Sequence, residues 1–114
     1  MTERARSLSQ ARLAAPVGPH PSRATAVRVL AQQLAEAAEG IAARDDPAEP
    51  GWRALPELSN LAVGDQLAVV GRDLRAELAG CDAEAEVWVR GTRRTARDVV
   101  TDATDALAAT RHLL

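Results

Sequence analysis

Apolar residues recur at intervals of three and four positions between Ser22 and Arg44, and this spacing constrains the fold more than any other feature of the chain. Residues at these intervals lie on one face of an α-helix, because the helix turns once in about 3.6 residues. Ser22 is a suitable N-cap, and Pro47 follows the end of the segment. We predict a helix over about residues 22–44. The apolar series is Val27, Leu30, Leu34, Ala37 or Ala38, and Ile41.

The last segment keeps one helical phase from Ala85 to Leu114. Its stretch EVWVRG, taken alone, alternates as a strand would. A strand ending at Gly91 would have no reason to share a phase with the helix that follows it, so we predict a single helix over about 83–113. The residues that fall on its apolar arc include Trp88, Val89, Thr92, Ala96, Val99, Val100, Ala103, Ala106, Leu107 and Thr110.

The stretch LAVGDQLAVVGRDL, residues 61–74, admits either a strand or a helix. On a helical wheel Gly64, Leu67, Gly71 and Leu74 share the apolar face, and the polar residues take the opposite one. A strand over residues 66–70 would leave RDLRAELAG outside any element, whereas a helix over about 57–79 absorbs it. Each glycine costs about 1 kcal/mol of helix propensity relative to alanine. We therefore expect Gly64 and Gly71 to admit a closely packed neighbouring helix beside Leu67 and Leu74.

These segments predict an all-α fold, an antiparallel bundle of three main helices in one domain over residues 22–114. The core must use Ala, Leu and Val, because the chain has two Trp and neither Phe nor Tyr. This composition favours helices over sheets. The short link around Cys81 would make the last two helices an antiparallel pair. Prolines separate residues 1–21, an N-terminal arm or short helix, from this domain.

Four arginines, Arg90, Arg93, Arg94 and Arg97, recur at helical spacing in the last segment. On the predicted helix they share the side opposite the apolar arc. Guanidinium groups suit phosphate and carboxylate, so this surface could bind a phosphate or an acidic partner. The alternative is a solvated face whose charges pair with acidic residues.

Few residues of the chain suit catalysis or metal binding. Cys81 is the only cysteine, which excludes an internal disulfide and a zinc site built on several thiolates. His20 and His112 have no carboxylate at a metal-binding or triad spacing, and we assign both to the surface. We predict no catalytic residue, cofactor or metal.

Charge and hydropathy give little indication of a partner. The net charge of -2 attracts neither nucleic acid nor a membrane surface over a distance. The N-terminal residues lack the apolar core of a signal peptide, and no apolar run reaches the ~20 residues of a membrane span. We expect a cytoplasmic protein with no membrane contact.

The leading functional hypothesis is a non-catalytic protein that associates with itself or with another helical protein. The narrow apolar stripe of the first helix and the terminal Leu113 and Leu114 favour it, because a thin bundle of three helices has little interior in which to cover its apolar faces. The first alternative is a nucleic-acid-associated regulator that uses the four arginines. The second is a small ligand-binding or enzymatic bundle, with Trp52, Cys81 or His112 near a pocket.

Overall fold

The computed structural model describes residues 23–57, 59 and 62–113, with the backbone alone at 113. The predicted arm over 1–21, His20, Ser22 and the terminal leucine side chains lie outside the described residues. In chain order the elements are helix α1 (Arg23–Ala42), helix α2 (Val63–Ala79), strands β1 (Glu86–Val89) and β2 (Thr92–Thr95), and helix α3 (Ala96–Leu113). No described helix is long and apolar enough to cross a membrane.

Helix α1 supplies the centre of the core and confirms the helix predicted from its apolar spacing. Val27, Leu30 and Ile41 are completely buried. The helix packs against α2, β1 and α3, so its apolar residues face three different elements. Burying each of these side chains contributes about 1.5 to 3 kcal/mol relative to leaving it exposed. The core is therefore organised around this one helix.

Helix α2 confirms the helical alternative for the stretch of residues 61–74, but the helix begins at Val63 rather than near residue 57. Val63, Leu67 and Leu74 are buried, as their common wheel position predicts. The side chain of Gln66 donates to the carbonyl oxygen of Pro56 at 3.0 Å. Residues 51–57 are not helical and belong to the long connection that precedes α2.

That connection crosses α1, whose polar side chains satisfy its backbone. The amide of Leu55 donates to Oε1 of Gln32 at 2.9 Å, and Nε2 of Gln32 donates to the carbonyl of Arg53 at 3.1 Å. The amide of Arg53 in turn donates to the carboxylate of Glu39. The connection has no helical hydrogen bonds of its own. The side chains of α1 supply partners for its backbone groups, so it can cross α1 without being helical.

Residues 86–95 form an antiparallel β-hairpin, so the prediction of one helix over 83–113 is wrong in its first half. The strands pair Val89 with Thr92 and Glu86 with Thr95, which leaves Arg90 and Gly91 as a two-residue turn. Gly91 has φ of +76°, a backbone conformation that favours glycine and that a helix interior does not use. Val87 is completely buried against α1, as strand alternation places it.

Helix α3 begins at Ala96, directly after the hairpin. The hydroxyl of Thr95 accepts the amide of Asp98 at 3.2 Å and caps the first turn. The amides of Ala96 and Arg97 donate to the carbonyls of Ala85 and Ala83, both at 2.8 Å. These contacts satisfy donors that a helix leaves free at its start, and they tie α3 to the chain before β1.

The described chain is therefore mostly helical but not all-α. The link around Cys81 leads from α2 into the hairpin, so it does not join two helices as predicted. Both α2 and α3 pack chiefly on α1 rather than on each other. Ala96 and Val99 of α3 are buried, whereas no described side chain from Val100 to His112 is fully buried.

Candidate association surface

Arg90, the first of the four predicted arginines, lies in the hairpin turn and binds Glu36 of α1. Its Nε and Nη2 donate to the two carboxylate oxygens, each at 2.8 Å. The Arg90 guanidinium holds the pKa of Glu36 below its ordinary value, and the same hydrogen bonds raise the pKa of Arg90. This bidentate pair connects the hairpin turn to α1.

Trp52 fixes the long connection against the same turn. The guanidinium of Arg90 lies over its ring, 5.7 Å from the centroid. Its indole Nε1 donates to one carboxylate oxygen of Glu49 at 2.6 Å, and the amide of Gly91 donates to the other at 3.0 Å. A single carboxylate thus joins the connection to the hairpin.

Arg93 stacks on the second tryptophan. Its guanidinium lies 4.8 Å from the centroid of the Trp88 ring, across the strand pair. Its Nη2 donates to the carbonyl oxygens of Arg44 and Glu86. The indole of Trp88 donates to the carbonyl of Asp46 at 3.1 Å. We refer to Trp52, Trp88, Arg90 and Arg93 as the tryptophan cluster.

The remaining two arginines also have carboxylate partners. Arg94 of β2 pairs with Asp98 and Asp102 of α3. Arg97, in the first turn of α3, pairs with Glu84 at 2.6 Å. The four arginines therefore do not project from one helix face, because the hairpin divides them between a turn, a strand and a helix. A role for them in binding a partner or phosphate stays a prediction.

A groove lies between α2 and α3, with α1 beneath it, and we call it the α2–α3 groove. Its volume is about 560 Å³. Val100 and Leu107 of α3 line the groove and are 38% and 36% exposed, which is more than the buried core residues of α1 and α2. Its large apolar lining consists of Leu34, Leu67, Leu74, Leu78, Val100 and Leu107.

Arg72 and Arg75 of α2 are the charged residues that line this groove. Both are exposed, and neither joins an ion pair within the part of the chain that the structure describes. No acidic residue lies three or four positions from either of them, the positions from which a helical neighbour could pair with them. Within the described part of the chain, their guanidiniums therefore stand at the groove edge without a carboxylate partner.

The two glycines predicted to admit a neighbouring helix differ in their surroundings. Gly64 is buried in α2. Gly71 lines the α2–α3 groove, and a Cβ built on it would meet no described atom within 4 Å. A close approach lies at Gly40 of α1, where a Cβ would overlap the carbonyl oxygen of Trp88, and a close approach at Gly64 stays a prediction. Leu67 and Leu74 are buried facing α1 and also line the groove.

A smaller groove of about 220 Å³ lies beside Trp52. Its charged lining residues are already paired, Glu36 with Arg90 and Arg94 with Asp102. Cys81 is half-buried and His112 is exposed, and neither lines this groove or the α2–α3 groove. Among the described residues no cluster of His, Cys, Asp and Glu could hold a metal ion.

Comparisons with known proteins give no relative on which to base a function. No protein-family model, curated protein or solved structure matches the chain. The function of the chain is therefore inferred from its surfaces.

Arg72 and Arg75 are the site residues that the sequence prediction missed. A helical wheel places Arg72 on the polar face of α2, where it resembles an ordinary solvated residue. The available signal was the lack of an acidic residue at three or four positions from either arginine. The missing acidic neighbours indicate a binding site only because α3 forms the opposite wall of a groove beside these arginines.

Proposed function

We propose that the protein is a non-catalytic association module that holds an apolar helical segment in the α2–α3 groove. The observation that carries this proposal is the open apolar lining between α2 and α3. Leu107 and Val100 on one wall face Leu67 and Leu74 on the other, with Leu34 of α1 at the base. A groove between two helices is a common receptor for an amphipathic helix, whose apolar residues fill it at intervals of three and four.

The shape of the groove supports a segment rather than a small ligand. The lining from Leu67 to Leu78 follows about 16 Å of helix axis at the usual rise per residue. Apolar surface of this kind stabilises a complex in proportion to the area removed from water. The nucleic-acid alternative gains no support from the described contacts, because Arg90, Arg94 and Arg97 are engaged with carboxylates.

Binding of a labelled leucine helix tests the proposal. The probe is a peptide of about 15 residues with leucines at helical spacing and glutamine on its flanks. We expect fluorescence anisotropy to show saturable binding, weakened at least tenfold by Leu107→Gln, because the substitution places an amide on the apolar wall. Val29→Gln is the matched control, since Val29 is 40% exposed on α1 and does not line the groove.

Two results would count against an association module of this kind. The first is that neither the neutral peptide nor any charged version of it binds the protein. The second is that Leu107→Gln and Val29→Gln weaken binding equally, since the contact would then not involve the α2–α3 groove.

A further inference from the structure

The charges that border the α2–α3 groove have one sign. Arg72 and Arg75 stand on the α2 wall. On α3, Arg111 is exposed and follows Leu107 by four positions, one helical turn beyond the groove lining. A segment entering this groove would therefore meet two guanidinium groups on the α2 wall, and Arg111 where it extends beyond the end of the α3 lining.

None of the three acidic residues of α3 lines this groove, and Asp105 is exposed away from its lining. Asp98 and Asp102 bind Arg94 of the hairpin, and Asp102 lines the groove beside Trp52. On α2, Asp73 and Glu77 line a third groove, between α1 and α2. Helix α2 thus presents arginines toward α3 and carboxylates toward its other side.

We infer that the occupant of the α2–α3 groove is an acidic amphipathic helix of another protein. The inference rests on the proposed function and names the chemistry of its partner. Apolar side chains of that helix fill the space between Leu67, Leu74 and Leu107, and its Asp or Glu residues pair with Arg72 and Arg75. Pairing with guanidinium gives such a helix both orientation and selectivity over a neutral or basic one.

Gly71 fits a helical occupant. It stands between Leu67 and Leu74 on the groove wall, and nothing described lies within 4 Å of where its Cβ would be. A glycine at that place lets the backbone of a docked helix approach α2 more closely than a larger residue would. The propensity cost of Gly71 is then offset in the complex rather than in the isolated chain.

A second copy of this chain fits the groove less well. In a dimer with two-fold symmetry the same surface faces itself. The α2–α3 grooves of two copies would bring Arg72 and Arg75 toward the arginines of the partner copy. Like charges across an interface oppose association, so charge favours a different, acidic protein.

The test compares three labelled peptides that share one leucine pattern and carry glutamate, glutamine or lysine on their flanks. We expect the glutamate peptide to bind the full chain at least tenfold more tightly than the lysine peptide at low salt. Rising salt should reduce this difference, because the border charges are exposed. The measurement is fluorescence anisotropy.

Charge reversal in the protein provides the decisive comparison. The double variant Arg72→Glu/Arg75→Glu should prefer the lysine peptide, and misfolding cannot produce such a reversal. Should this variant fail to fold, Arg72→Gln/Arg75→Gln should bind the three peptides with similar affinity. Arg53→Gln removes an arginine outside the groove lining and should leave the preference unchanged.

The outcomes separate the inference from the proposed function. Equal binding of all three peptides, with Leu107→Gln still disruptive, would overturn the acidic partner and leave the association module standing. A dimer in sedimentation velocity that Leu107→Gln dissociates would show that a second copy fills the groove, and would also overturn the inference. Failure of every peptide, without such a dimer, would remove both proposals.

Discussion

Two glycines of this chain have opposite packing environments, although both lie within helices. Gly40 and Gly71 are both helical glycines, yet one lies directly under the backbone of Trp88 and the other faces an open groove. The sequence predicted a close approach at Gly64 and Gly71 from their position on the apolar face of α2. It could not predict the approach at Gly40, because the strand that approaches was itself predicted as a helix.

The two glycines should respond in opposite directions to alanine. Gly71→Ala should raise the free energy of unfolding by up to about 1 kcal/mol, since the new Cβ meets no described atom and alanine is the better helix former. Gly40→Ala should lower it by about 1 to 3 kcal/mol, because Trp88 and the hairpin must shift. Urea unfolding followed by circular dichroism measures both. Destabilisation by Gly71→Ala would show that the site is closely packed.

At the level of elements, the strand periodicity of residues 86–89 and the helical periodicity of α3 were each visible in the sequence. The prediction failed at the junction of the hairpin and α3. There, alanine and valine residues fit the apolar face of a helix as well as that of a strand. The structure shows a hairpin at this place. Gly91 has a positive φ, and Arg93 pairs with Trp88 across the two strands. The arginine spacing was consistent with one helix face, but the turn at Arg90 and Gly91 removes that face.

The Arg90 and Glu36 pair should make the attachment of the hairpin to α1 depend on pH. The pKa of Glu36 is lowered in the fold, so its contribution is present above the ordinary glutamate pKa and is lost as pH falls through the lowered value. Glu36→Gln should cost about 0.5 to 1 kcal/mol at pH 7, and this cost should disappear as the pH falls through the lowered pKa of Glu36. Urea unfolding across this pH range provides the measurement.

Glu84→Gln is the comparison for that experiment. The pair of Glu84 with Arg97 is about two-thirds exposed at both ends, whereas the Glu36 side chain is only 21% exposed. Solvent screening should make the Glu84 variant the milder of the two. An equal cost at pH 7, or a cost of Glu36→Gln that persists in acid, would contradict this assignment.

The described part of the molecule is organised around α1, and the sequence indicated this helix most clearly because its apolar spacing is strict over its full length. This helix packs against α2, β1 and α3, so the apolar positions that the sequence predicts to be buried have neighbours to bury them. The α2–α3 groove was not predictable in the same way. It arises because α2 and α3 both pack on α1 and only weakly on each other, which is a property of three elements together.

Both tryptophans of the chain belong to the tryptophan cluster, and neither lines the α2–α3 groove. The intrinsic fluorescence of the two tryptophans should therefore respond to changes in the contact between the long connection and the hairpin. A peptide without tryptophan that docks in the groove should leave the emission maximum unchanged, whereas loss of the hairpin should shift it to longer wavelength. A spectral shift on docking would reveal communication between the two regions. One spectrometer could thus follow folding through tryptophan and binding through the peptide label, each without interference from the other.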